Sequence, residues 1–177
     1  RYFALVALLF AGISLSAQEM PKAKPPQISF QLVPDFFKIP KGMIMAEAVG
    51  VAINSQGHIF ILNRGNHPLL EFMPDGSFVS SYGEDSPVLH IPHSIRFDSE
   101  DNLWYVGAAD NLVVKFDRNL RVQQALGRRE ADLPWVYLTH AIERAIPLPE
   151  NFYQPTDTVV GPDGSTYITD GYGNSRI

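Results

Sequence analysis

Arg64, His93 and Tyr172 are polar side chains whose types suit chemistry and whose places in the chain are not filled alike in the other copies of a repeat. A guanidinium can hold a carboxylate or carbonyl through two parallel donors. An imidazole ligates metals and exchanges protons near neutral pH. A phenol of pKa about 10 is a poor base unless cationic neighbours favour phenolate. Each also has a structural reading. An Arg in a turn can be a solvated charge or half of an ion pair, a Tyr in Gly171-Tyr172-Gly173 can be packing with a bonded hydroxyl, and a single His can be a satisfied structural residue. His58 and His90 fall at strand edges with no chemistry nearby, and His140 lies in an insert. No Ser-His-Asp order, phosphate-cradling Gly loop or closely spaced metal pair is present.

The elements that must position these residues are the repeat itself. Asn54-Ser55-Gln56-Gly57-His58-Ile59-Phe60-Ile61-Leu62 aligns with Asp98-Ser99-Glu100-Asp101-Asn102-Leu103-Trp104-Tyr105-Val106 and with Gly161-Pro162-Asp163-Gly164-Ser165-Thr166-Tyr167-Ile168-Thr169. From Gly57 to Asp101 is 44 residues, and Gly164 follows 63 later. A turn followed by an apolar core at this period is how a β-propeller blade reads. The expected fold is therefore all-β, a propeller over residues 45–177 with about two and a half four-stranded blades present. A closed ring takes about four to eight blades, so the chain reads as an N-terminal fragment; the alternative is a complete three-bladed protein.

In the first blade, Val49, Val51 and Ile53 alternate with small residues as a half-buried strand does. Ile59–Leu62 reads as a strand buried on both sides, followed by Leu69–Phe72, a Pro74-Asp75-Gly76 turn and Phe78–Tyr82. The second blade repeats this with Ser94–Phe97, Leu103–Val106, Leu112–Phe116 and Arg121–Leu126, and the third starts at Gln154-Pro155-Thr156-Asp157. Residues 128–151 form an insert loop in which Leu138–Ile146 has room for about two helical turns. Inserts of this kind often carry binding residues.

At the end of the second strand the copies diverge: Asn63-Arg64-Gly65-Asn66-His67, Gly107-Ala108-Ala109-Asp110-Asn111 and Asp170-Gly171-Tyr172-Gly173-Asn174. These turns share one face of the disc, so Arg64 and Tyr172 can converge from separate blades. His93 precedes the innermost strand of the second blade and points at the axis.

Composition narrows the class. A net charge of −5 without basic clusters excludes a nucleic-acid surface. With no cysteine there is neither a disulfide framework nor a thiolate site. Residues 1–17, apolar behind Arg1 and ending in small residues, read as a signal peptide, the alternative being an uncleaved anchor. The expected location is exported, periplasmic or extracellular in a bacterium, with no membrane association after cleavage. Residues 18–44 carry Pro21, Pro25, Pro26, Pro34 and Pro40 and read as a linker.

Val49-Gly50-Val51-Ala52-Ile53, Asn63-Arg64-Gly65-Asn66-His67, Pro92-His93-Ser94-Ile95, Gln154-Pro155-Thr156-Asp157 and Asp170 to Ile177 resemble, in order, segments of the peptidyl-α-hydroxyglycine α-amidating lyases. The resemblance implies a six-bladed propeller of NHL type that cleaves peptidyl-α-hydroxyglycine, a carbinolamide, into peptide amide and glyoxylate. It implies zinc held by three histidines, of which His93 matches one and the others lie beyond this chain. It also implies a calcium ion taking the backbone oxygens of Val51 and Ile95. Arg64 matches the active-site arginine and Tyr172 the tyrosine acting as base. The chain by itself is expected to be inactive. Gly107 departs from the family, which commonly closes that strand with Asp.

Two other readings stand beside this one. An exported, non-catalytic NHL propeller would bind a protein or glycan on its face. A lactonase or other metal-dependent hydrolase would need acidic ligands near the axis, for which Asp157 and Asp170 are the candidates.

Overall fold

The computed structural model describes residues 25–86, 88–89, 91–128 and 151–177. The chain divides into two units, Arg1–Val33 and Pro34–Ile177. In the first, residues 25–33 have no assigned secondary structure and are exposed. The signal-peptide reading, the helical turns of the insert, His90 and His140 lie outside the described residues.

The second unit is all-β. Strands β1 (Ala48–Ile53), β2 (Ile59–Asn63), β3 (Leu69–Phe72) and β4 (Phe78–Tyr82) form one antiparallel sheet in sequence order. A second sheet repeats it with β5 (Pro92–Phe97), β6 (Leu103–Gly107), β7 (Leu112–Phe116) and β8 (Val122–Gly127). Strands β9 (Asp157–Val160) and β10 (Thr166–Thr169) make a two-stranded antiparallel sheet. Successive up-and-down sheets packed face to face are propeller blades.

The first hairpin of each blade turns at equivalent residues in the left-handed region: Gly57 at φ 82°, Asp101 at φ 60° and Gly164 at φ 83°. Glycine suits that backbone. Asp101 tolerates it and uses its side chain between blades, accepting from the Ser55 amide at 2.9 Å and from the Ser55 hydroxyl. Asn54 and Asp98 secure their turns alike, each accepting two backbone N–H groups through Oδ1.

Between the first two blades lies a core of Phe60, Leu62, Leu69, Ile95, Leu103, Tyr105, Leu112, Val114 and Phe116. Trp104, Val106 and Val113 face Phe152, Val160 and Ile168 of the third. Strands β2, β3, β6 and β7 are buried nearly throughout, as their unbroken apolar runs require. The outer strand β8 is exposed over most of its length.

One expectation needs correction. From Gly50 onward the alternation of β1 runs the other way: Val51 and Ile53 are exposed, at 57% and 60%, while Gly50 and Ala52 are partly covered; Val49, at the register shift, packs on the core as expected. The reason is the close approach of β5, since a Cβ on Gly50 would lie 3.3 Å from the Ile95 amide nitrogen. Only small side chains fit that face of the strand. The end of the Pro-rich stretch packs on the first blade: Phe37 and Met43, with Met45 just beyond, lie against Ile61, Leu70 and Phe72, the Phe37 and Phe72 rings are 4.7 Å apart, and the Lys38 amide donates to Gly76 O at 2.9 Å.

Candidate functional site

The rim that carries the candidate residues follows from strand register. Ala48 pairs with Asn63, Pro92 with Gly107 and Asp157 with Thr169, so each inner strand begins where its second strand ends. Because β5 packs beside both β1 and β9, these three junctions lie together. The turns leaving β2 and β10 carry Arg64 and Tyr172, and His93 stands at the start of β5.

His93 occupies an irregularity. The register of β5 on β6 shifts between Pro92 and Ser94, and β1 shifts at the matching place between Ala48 and Gly50. The extra residue of such a bulge is re-aimed relative to the sheet. In the repeat Val49 and Thr156 hold the same place, so the second blade alone puts an imidazole there. Thr156 turns its hydroxyl to that of Thr169, 2.7 Å away.

The structure brings His93 and Tyr172 together. Their ring centroids are 5.8 Å apart with the planes inclined at 72°, an edge-to-face contact between blades far apart in sequence. Tyr172 remains 42% exposed. Arg64 shares the rim but not this contact. Its amide donates to Glu47 O at 3.1 Å and its guanidinium stands 3.9 Å from the Glu47 carboxylate, with 41% of the side chain exposed. Among the described residues no hydrogen bond, ion pair or ring contact joins Arg64 to the two rings. A recess of about 370 Å³ opens beside its turn, lined by Gly65, Asn66, Pro68, Glu84 and Asp85. A larger, apolar recess of about 410 Å³ lies between the first two blades among Leu62, Leu69, Ile95 and Phe116 and includes none of the three.

Val51 and Ile95 hold matching register positions on adjacent inner strands, opposite Ile61 and Tyr105 respectively. Each of these inner strands pairs with one neighbour only, β1 with β2 and β5 with β6. Half of its backbone groups are therefore left outside the ladder. As for zinc, no group of three His, Cys, Asp or Glu side chains gathers among the described residues. His93 by itself does not make a tetrahedral site.

Several polar residues gained a role that sequence did not reveal. Asp157 accepts from Ser94 Oγ at 2.8 Å and from Arg96 Nη2 at 2.5 Å, tying β9 to β5. Burial works to raise its pKa, but the bonds from Arg96, Ser94 and the Thr158 amide outweigh this and hold it below the usual carboxylate value. It is thus an ion-paired strut between blades. His58 is not without chemistry: its Nδ1 lies 2.5 Å from Glu71, whose other oxygen accepts from Tyr82 at 2.5 Å. Burial first, and then the Glu71 carboxylate, push the Tyr82 phenol up to about 12. At the strand ends, Asn63 and Asp170 are buried to 0% and 1% exposure beneath the Arg64 and Tyr172 turns. The signal for both was present, a polar residue closing an apolar strand at the same place in two copies.

No protein-family model matches the chain. Among curated proteins it is 24% identical over 159 residues to the peptidylglycine alpha-amidating monooxygenase of Rattus norvegicus, covering 76% of this chain and 15% of that protein. It is 22% identical over 157 residues to a probable peptidyl-alpha-hydroxyglycine alpha-amidating lyase of Caenorhabditis elegans, covering 75% of this chain and 41% of the relative. The chain thus spans less than half the length of each of these relatives. Among solved structures a streptogramin B lyase superposes with a TM-score of 0.50 at 11% identity, over 73% of this chain and 36% of that one. That likeness bears on architecture alone, and with the blade geometry it establishes an all-β propeller fold with distant sequence similarity to amidating enzymes.

Proposed function

We propose that this chain contributes part of the active site of a zinc-dependent lyase that cleaves peptidyl-α-hydroxyglycine into peptide amide and glyoxylate. The observation that carries the reading is the contact of His93 with Tyr172 on the rim that also bears Arg64. It is supported by distant similarity to proteins named for peptide amidation, one of them for this lyase step.

Zinc with an open coordination position would act as a Lewis acid towards the α-hydroxyl. His93 would supply one ligand, and the others would come from outside the described residues. The reading assigns these roles to the chain's own groups. Tyr172, exposed at the rim, takes the proton of the α-hydroxyl. As the O–H bond breaks, the carbonyl of glyoxylate forms and the carbon–nitrogen bond is cleaved. The electron pair leaves with the amide nitrogen, which takes up a proton. Arg64, whose ion pair with Glu47 is long, is available to hold a carboxylate or carbonyl of the substrate bidentately. Calcium at the backbone oxygens of Val51 and Ile95 would brace the two inner strands. Export by a leader within residues 1–17 completes the proposal.

The test assays glyoxylate release from an α-hydroxyglycine peptide by the full-length gene product. Tyr172→Phe is expected to lower kcat by about 100-fold or more with KM little changed, and His93→Ala to lose zinc by metal analysis. A wild-type protein that stays inactive after zinc restoration, or an active, zinc-replete His93→Ala protein, would refute the assignment.

A further inference from the structure

Beneath the turns that carry Arg64 and Tyr172 lie two polar side chains that are shut off from solvent and bonded to those turns from below. Asn63 and Asp170 occupy the same place in their blades, the residue that closes the second strand. The second blade has Gly107 there, and its turn, Gly107-Ala108-Ala109-Asp110-Asn111, carries its buried polar residues further on, at Asp110 and Asn111, and none of Arg64, His93 and Tyr172. The two blades with a buried polar residue at this place are those whose turns carry the proposed catalytic side chains.

Each residue is matched to the polarity of its own turn. Asn63 Oδ1 accepts the Gly65 amide at 2.8 Å and the Ala46 amide at 3.3 Å, while its Nδ2 donates to His67 O at 2.7 Å and Pro68 O at 3.4 Å. That turn offers donors on one side and acceptors on the other, so it takes an amide. Asp170 meets donors alone: the Tyr153 amide at 2.7 Å, Asn174 Nδ2 at 2.5 Å and Arg176 Nε at 3.1 Å. A carboxylate, all acceptor, is the group that suits it. The Asp170 and Arg176 backbones also bond to each other, closing the neck of the loop, and the Gly173 amide donates to Tyr153 O at 3.1 Å. A Cβ on Gly173 would overlap the Tyr153 ring, so the ring packs directly against the glycine backbone at the tip.

We infer that Asn63 and Asp170 are positioning residues, Asn63 orienting the turn of Arg64 and Asp170 fixing Tyr172 against His93; the inference rests on the catalytic reading of those two side chains. Because each lock serves its own turn, the two act separately. Isosteric exchange of polarity breaks each one without altering its volume. In Asn63→Asp two carbonyls face a carboxylate. In Asp170→Asn an amide N–H₂ faces N–H donors.

The experiment uses the full-length, zinc-loaded protein with 3-fluorotyrosine at position 172, read by ¹⁹F NMR and by glyoxylate assay. Asp170→Asn is expected to move the ¹⁹F line towards that of the His93→Ala protein and to lower kcat by about 10- to 100-fold, since misplacing a reacting group by about 1 Å costs on that order. Asn63→Asp is expected to leave the line in place and to raise KM. If Asp170→Asn does not fold, Asn174→Ala removes one of the three donors and should shift the line the same way by less. An unmoved line in both position-170 and position-174 variants overturns the inference, as does an equal shift from Asn63→Asp. If the wild-type protein releases no glyoxylate, the lyase reading fails, while the ¹⁹F line still decides whether Asp170 places Tyr172.

Discussion

Replacing Asp98 by Asn should remove a pH-dependent share of the stability of the second blade. The Asp98 side chain is 5% exposed and lies 3.3 Å from Lys115 Nζ. Its oxygens accept from Trp104 Nε1 at 3.0 Å, from Asn102 Nδ2 at 3.0 Å, and from the Glu100 and Asn102 amides at 3.0 and 2.9 Å. Burial alone would raise the carboxyl pKa. The bonds from Trp104, Asn102 and the turn amides outweigh it and pull the value from 3.8 down to about 2. At 1.36 kcal/mol per unit this depression stabilises the fold by about 2–3 kcal/mol. The sign is that of a depressed acid. The contribution is present in full above the unfolded pKa of 3.8 and is lost as pH falls through about 2. Asp98→Asn retains the outline but turns an N–H₂ towards N–H donors and strips Lys115 of its counter-ion. Urea unfolding of wild type and variant across pH 7 to pH 2 isolates the effect, because depressed carboxylates that do not sense Asp98, Asp157 and Asp163 among them, cancel in the difference. The variant should be about 2–3 kcal/mol less stable at pH 7, with the gap closing towards pH 2. A gap of constant size, or none at neutral pH, would refute this account of the turn.

Two further outcomes follow from the same packing. Tyr82 should ionise late in an alkaline absorbance titration, near pH 12, and its step should vanish in Tyr82→Phe. As a raised acid, Tyr82 stabilises the fold below its unfolded value of 10, and this is lost as pH rises through 12, so wild type and Tyr82→Phe should converge in stability there. Gly50→Val places methyl groups where β5 approaches to van der Waals distance, and chemical unfolding should show a loss of about 1–3 kcal/mol; a neutral substitution would mean that β1 and β5 are not packed as described.

The blades were legible because a buried strand bounded by fixed turn residues leaves little choice. Ile59–Leu62, Leu69–Phe72, Leu103–Val106 and Leu112–Phe116 all stand where the apolar runs placed them, within a residue. The orientation of β1 was not legible. Its alternation names two faces without saying which meets a neighbour, and the approach of β5 to Gly50 assigned the small residues inward. His58 looked idle because its partner Glu71 lies on another strand and points inward. The candidate site was marked in the sequence by residue types that break the repeat. Arg64, His93 and Tyr172 were identifiable from the differences between copies, but their distances were not.

Sequence by itself determined the all-β blades, their turns and the rim on which the unrepeated polar residues fall, since strand register carries every strand-end residue to one side. Tertiary structure alone decided that His93 and Tyr172 touch while Arg64 turns to Glu47. It likewise decided that Asn63 and Asp170 are buried, hydrogen-bonded side chains rather than surface polar groups. The physical reason is that a repeat specifies contacts within a blade. Contacts between blades depend on how closely whole sheets approach, and that distance is set by side chains far apart in the chain.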